Sequence, residues 1–192
     1  MMFRFRPVRL VLAAILALGA GGCSTLFAPD LPPVPEAAGG DYLLGRGDQV
    51  RLITFGEEQL TGEFRVNAAG EIALPLVGAV KADGRTPKQL EAAVAAALRR
   101  ASLFKNPSVS VEVVAYRPIF ILGEVTRAGQ YPYQPGMTVV TAVAVAGGYT
   151  YRAVQDRATI VRTTDGSAVE GAAVRQTFVE PGDVITVPER HF

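Results

Sequence analysis

The 192-residue sequence predicts an α+β fold, and three observations carry that expectation. Composition is the first: 49% hydrophobic, 19% charged, with 20 glycines and 13 prolines, which describes a globular chain rich in turns and short strands. The second is a single segment with every signal of an amphipathic helix. The third is a series of short runs of strand formers separated by glycine- and proline-containing turns. The length suits one compact domain or two small ones, and a folded part of roughly 150 residues buries about two thirds of its unfolded surface.

The first 22 residues read as an address. Arg4, Arg6 and Arg9 precede an apolar run from Leu10 to Ala20, too short for the roughly 20 residues that span a bilayer. Small residues Gly19, Ala20, Gly21 and Gly22 follow, and then Cys23, the only cysteine. This is a secretory signal peptide. The alternatives at Cys23 are an incidental thiol and a lipidated one; its position straight after the small residues favours lipidation. Residues 24–40, STLFAPDLPPVPEAAGG, hold four prolines and end in Gly-Gly, the composition of an extended tether.

Within the folded part, Gly45 to Asp48 is a turn and Gln49 to Phe55 a strand. Glu63 to Asn67 is a short strand, Ala69-Gly70 a turn, and Glu71 to Val77 a further strand in which Pro75 marks an edge or a bulge. Pro87 to Arg100 is the clear helix. Thr86 caps it, Pro87 takes the first position, and Gln89 completes a capping box. Leu90, Ala93, Val94, Ala97 and Leu98 form one apolar stripe, and Arg99 and Arg100 suit the negative end of the dipole. Ser108 to Ala115 alternates, with Val109, Val111 and Val113 on the buried side. Pro118 to Val125 is a mostly apolar strand, and Gly129 and Gln130 turn the chain into Tyr131 to Tyr133. Thr138 to Ala146 stays ambiguous: its valines favour a strand, while Thr138 and Gly147-Gly148 suit the two ends of a helix. Ala158 to Arg162 and Asp183 to Val187 are the final strands, and Pro188 ends the last.

Charge and rare residues exclude several functions. Without the three N-terminal arginines the chain carries 16 basic and 18 acidic side chains, so no electrostatic case exists for binding nucleic acid. One cysteine and one histidine, His191, leave no disulfide, no cysteine-based metal cluster and few histidine-centred mechanisms. No cofactor or metal is expected.

Three segments together resemble the bacterial polysaccharide export family of outer-membrane lipoproteins. Asp41 to Phe55, GEFRVNAAGEIALPLVG from Gly62 to Gly78, the capped helix and NPSVSVEV from Asn106 to Val113 are similar to that family's export domain. Phe120 to Thr150, FILGEVTRAGQYPYQPGMTVVTAVAVAGGYT, resembles a soluble-ligand-binding β-grasp module. EPGDVITVPER, Glu180 to Arg190, resembles the closing strand. The resemblance implies a signal peptide over 1–22, a lipidated tether over 23–40, a small mixed export domain over 41–115 and a β-grasp module over 116–192, with Thr138 to Ala146 as its helix. It also implies an acylated Cys23. Ser24 in place of aspartate implies outer-membrane sorting, with the folded part in the periplasm. The implied role is that of a non-enzymatic ring homo-oligomer guiding a capsular or extracellular polysaccharide. Its expected partners are further copies of itself, the polysaccharide chain and an inner-membrane polysaccharide co-polymerase. Longer members continue into an amphipathic helix that builds the pore. This sequence stops at Phe192 with one β-grasp module, so a separate outer-membrane β-barrel is expected to supply the pore, or the ring only bridges the periplasm.

Candidate sites follow from residue type. Tyr131, Tyr133, Tyr149, Tyr151 and Arg152, with Tyr116 and Arg117 nearby, offer aromatic faces for sugar rings and guanidinium groups for acidic sugars. The alternative is that these tyrosines cap the core. Gly47, Gly123, Gly129, Gly136, Gly147, Gly148 and Gly182 serve turns or close backbone approach. Asp48 and Asp183, each in a Gly-Asp step before an apolar strand, accept backbone hydrogen bonds in their own turns rather than forming an acid/base pair. Glu57, Glu58 and Glu63 are solvated loop charges rather than a glycosidase pair. The rival readings are a monomeric lipoprotein that binds sugar or peptidoglycan, and a polysaccharide-modifying enzyme.

Overall fold

A computed structural model describes residues 31–35, 41–164 and 166–190. Cys23 and His191 lie outside the described residues. The fold is α+β, with two separate hydrophobic clusters along the chain.

The first cluster is enclosed by an antiparallel sheet, a hairpin and a helix. β1 (Gln49–Thr54) lies between β2 (Gly62–Arg65) and β5 (Val109–Ala115). β3 (Glu71–Leu74) and β4 (Gly78–Lys81) form their own two-stranded ladder. Alternation decides which residues enter the core: Val50 and Leu52 from β1, Val111 from β5, Ile72 and Leu74 from β3. α1 (Pro87–Arg100) closes the cluster with Leu90, Val94, Ala97 and Leu98. Each large apolar side chain buried here contributes roughly 1.5–3 kcal/mol. The Thr86–Gln89 capping box forms in both directions, at 3.0 and 3.1 Å. At the other end the Leu103 amide reaches the Leu98 carbonyl and the Ser102 amide the Arg99 carbonyl, which is the Schellman pattern. Ser102 therefore sits at φ 55, where glycine is the usual residue.

One expectation fails in this half. Glu71 to Val77 is not a single strand. β3 stops before Pro75, the chain reverses through Leu76 at φ 66, and β4 follows. Proline removes a ladder donor, so the strand ends there instead of bulging.

The second cluster lies beneath a five-stranded sheet of order β7-β6-β10-β8-β9. β6 (Ile119–Gly123) and β10 (Val184–Val187) are its parallel pair, and the other pairings are antiparallel. β7 (Gly129–Tyr131) contains Gly129 and Gln130, which the sequence reading had placed in a turn. β8 (Arg157–Thr164) runs past Arg162, and β9 (Ser167–Val174) was not anticipated. α2 (Val139–Val145) resolves the ambiguous valine-rich segment as a helix. The Gly147 and Gly148 amides bond the Ala144 and Val143 carbonyls, again the Schellman pattern, and Val139, Ala142 and Val143 face the core.

The sheet gains one more short edge. Pro33 bridges Ala172 of β9 in parallel, with the Val34 amide 2.9 Å from the Ala172 carbonyl and the Ala172 amide 2.8 Å from the Pro32 carbonyl. Val34 enters the second core. Gly171 permits this approach, since a Cβ there would stand 2.5 Å from Val34 backbone atoms.

Replacing Ser102 by glycine is expected to raise stability by roughly 0.5–1 kcal/mol, because it relieves the left-handed conformation at the end of α1. Urea unfolding of the purified variant measures this; an unchanged or lowered midpoint would contradict it.

Candidate functional site

The two Gly-Asp steps fold alike. Gly45–Asp48 and Glu180–Asp183 each close with an aspartate amide bonding the carbonyl three residues earlier, at 3.1 Å in both. The third positions, Gly47 and Gly182, take φ 97 and φ 92, which a type II turn requires and which other residues resist. Each carboxylate then folds back onto its own turn. Asp48 Oδ2 accepts from the Gly45 amide at 2.8 Å, and Asp183 Oδ2 accepts from the Glu180 amide at 2.7 Å. Asp48 is 0% exposed and Asp183 1%. A carboxylate so far from water needs charged or hydrogen-bonding partners.

Arginine supplies them in both turns. Arg162, 3% exposed, projects inward from β8 in line with Ala158 and Ile160. Its Nε and Nη2 donate to the two Asp183 oxygens at 3.0 and 2.7 Å. Nη2 also donates to the Phe178 carbonyl at 3.0 Å, and Nη1 donates to the Pro35 carbonyl at 2.6 Å and lies 2.9 Å from Glu180 Oε1. Every donor of the guanidinium fork therefore has a place to go. Burial works against the guanidinium charge, but the hydrogen bonds and charge of Asp183, with Glu180 adding to them, hold Arg162 above the usual arginine range. Glu180 is pushed up, chiefly by burial, against the pull of Arg162.

Arg117 plays the matching part at Asp48. Its backbone amide donates to Asp48 Oδ1 at 2.8 Å, and its Nε lies 3.5 Å from the same oxygen, an ion pair without hydrogen-bond alignment. The side chain lies over Gly45, where a Cβ would strike Nη1. Tyr42 donates to Asp48 Oδ2 at 2.5 Å; burial first, then that bond and the Asp48 charge, raise the phenol above its ordinary range. Tyr42 therefore stays a donor at any physiological pH.

Arg117 lies in the three-residue link between β5 and β6, so the Asp48 cluster ties the two halves together. Three tyrosines continue the tie. Tyr42 meets Tyr116 edge-on at 4.9 Å, and Tyr116 meets Tyr133 at 5.4 Å. Tyr42 packs on the first core and Tyr133 on the second. Such pairs add about 0.5–1.5 kcal/mol each beyond area burial.

The five residues suggested for sugar contact fall in different settings. Tyr131 and Tyr149 pack on the second core, and Tyr131 donates to the Arg127 carbonyl at 2.6 Å. Tyr133 belongs to the aromatic tie, and burial raises its phenol. Arg152 is paired with Glu189 beyond the end of β10. Tyr151 is 89% exposed and presents a whole ring to solvent. Among the predicted turn glycines, residues 47, 123, 136, 147, 148 and 182 have positive φ; Gly129 does not, and pairs with Ile121. Sequence reading missed Arg162. Its signal was present: the inward phase of Ala158 and Ile160 also places residue 162 inside.

Among the described residues no group of three or more histidine, cysteine or carboxylate side chains is arranged to hold a metal, and no helix is long and apolar enough to cross a membrane.

Comparison with known proteins places these two halves. Residues 36–114 match the family described as Polysaccharide biosynthesis/export protein, and residues 118–172 match the SLBB domain. The chain is 32% identical over 149 residues to the exopolysaccharide production protein ExoF of Rhizobium meliloti, covering 71% of this chain and 32% of the relative. It is 30% identical over 184 residues to the capsule polysaccharide export outer membrane protein CtrA of Neisseria meningitidis, covering 88% and 43%. It is 28% identical over 155 residues to the EPS I polysaccharide export outer membrane protein EpsA of Ralstonia nicotianae, covering 75% and 40%. The chain thus spans less than half the length of these relatives.

Replacing Asp183 by asparagine removes the buried half of the ion pair, leaving Arg162 with Glu180 and two carbonyls, and is expected to cost about 2–3 kcal/mol. Replacing Arg162 by methionine and Asp183 by leucine together is expected to cost less than the single change. Urea unfolding of both variants measures the difference; a double variant weaker than the single one would contradict the pairing.

Proposed function

Because this chain belongs to the polysaccharide biosynthesis/export family, we propose that it is a component of a bacterial polysaccharide export machine, acting as a scaffold along the polymer's path and not as an enzyme. The observation that carries the reading is the succession of an export domain and an SLBB domain over 36–114 and 118–172. The polymer is a capsular or extracellular polysaccharide. The protein is anchored at the outer membrane through an acylated Cys23, its folded part stands in the periplasm, and copies assemble as a ring. An inner-membrane co-polymerase delivers the chain to it.

The Asp48–Arg117 cluster and the tyrosine tie support the scaffold role, since they join two cores into one stiff subunit. Tyr151 is the residue best placed to touch polymer, because a fully solvated ring offers a stacking face at no desolvation cost to its neighbours. Tyr133 and Tyr149 act in packing instead.

Deleting the gene is expected to abolish surface or secreted polysaccharide, with the wild-type gene restoring it; normal polysaccharide in the deletion strain would overturn the export role. Sedimentation of the purified protein separates a ring from a monomeric sugar-binding lipoprotein. Complementing with Tyr151→Ala is expected to lower polymer export several-fold at unchanged protein level, while Tyr133→Ala lowers the melting temperature of the purified protein. Full export by the Tyr151 variant would remove that residue from the path.

A further inference from the structure

A concavity of about 430 Å³ lies between the β3–β4 hairpin and α1. Its room comes from small side chains: Ala79 of β4 faces Ala93 and Ala96 of the helix. Larger residues at these positions would fill the gap, as leucine and valine fill the buried side of the same helix. Its rim is cationic. Lys81 ends β4, Arg85 precedes the Thr86 cap, and Arg100 ends the helix, so three separate elements bring positive charge to one groove. Glu71 is the one carboxylate in the lining.

Internal partners leave this charge largely unneutralised. Lys81 Nζ donates to the Ala69 carbonyl at 3.2 Å and lies 4.0 Å from Asp83. Arg85 Nη1 donates to the Lys81 carbonyl at 2.7 Å, a neutral partner. Neither Arg85 nor Arg100 forms an ion pair among the described residues. The dipole of α1 explains a cation at its end, but it does not explain why Arg85, before the helix begins, and Lys81, on the hairpin, border the same hollow.

We propose that this groove is a binding site for carboxylate groups of an acidic polysaccharide. The inference rests on the export reading and deepens it. Arginine forks match a carboxylate in two parallel hydrogen bonds, and the lysine adds a point charge. The alanine floor admits a flat sugar ring without demanding polar partners. An open, half-solvated groove binds each unit weakly, and cations along its length let a charged chain slip from one contact to the next.

The test uses the purified full chain and a fluorescent oligogalacturonide, with a malto-oligosaccharide of equal length as neutral control and inorganic phosphate as competitor. The acidic oligomer is expected to bind, more weakly as salt is raised, and the neutral one not to bind. The triple variant Lys81→Gln/Arg85→Gln/Arg100→Gln is expected to bind roughly tenfold more weakly or worse. Arg100→Glu, one change at an exposed helix end, gives a second test should the triple variant fail to fold. Undiminished binding by the folded variants, or no binding by the wild type, would overturn the site. Phosphate that competes at concentrations equal to the oligomer's uronate content would make the groove a general anion site and overturn the saccharide assignment. In cells, a charge variant that exports an acidic polymer normally while the deletion strain does not would sink the groove and leave the export role standing; a deletion strain that still exports would sink the export role itself.

Discussion

The rest of this structure depends on a carboxylate taken out of water twice, in two turns of the same design. An aspartate at the end of a Gly-Asp step folds back to cap its own turn and then must find a cation, because a buried carboxylate with only backbone donors remains costly. In each half the cation arrives from elsewhere in the chain. Arg117 comes 69 residues after Asp48, and Arg162 comes 21 residues before Asp183. These pairings fix where distant segments lie. Arg117 holds the link between β5 and β6 to the turn before β1, and Arg162 fixes β8 against the turn that launches β10.

Local signals were legible wherever one residue's chemistry decides the outcome. Thr86, Pro87 and Gln89 specify the start of α1, and alternation specifies β1 and β5. The glycines at 47 and 182 specify their turns, and their aspartates are understandable from turn chemistry. What escaped depends on partners that sequence does not print. β4 was hidden because Gly78–Lys81 is four residues with only Val80 buried, and it forms because Pro75 forces a reversal in front of it. β9 was hidden because its first four residues are exposed and Gly171 weakens any strand reading. That glycine is explained only by the Val34 backbone lying against it. The basic groove was hidden in the same way: Arg100 reads as dipole compensation, and nothing in the sequence brings Lys81 and Arg85 beside it.

Part of the proline-rich segment is built into the fold. Four prolines and Gly-Gly describe a free spacer as far as Gly40, yet residues 32–35 add to the edge of β9 and end under the Arg162 guanidinium. Backbone pairing on an exposed strand edge also protects that edge from pairing with another chain.

A conduit of the kind proposed above would need opposite properties in its frame and in its lining. Such a frame must not yield, and the buried Arg162–Asp183 pair, the half-buried Arg117 against the Asp48 carboxylate and a run of three edge-to-face tyrosines are suited to that stiffness. The lining must hold each sugar briefly, because a site that bound tightly would stop the chain at the first unit. Tight sites are enclosed and largely apolar, with a few converging polar groups. The described residues show the reverse: open hollows, the solvated ring of Tyr151 and cations at a rim. The same side-chain types appear in both roles, and burial separates them. Arg162, cut off from water, and Tyr42, half-buried, hold neighbouring segments in place, whereas Arg100 and Tyr151 stand in solvent.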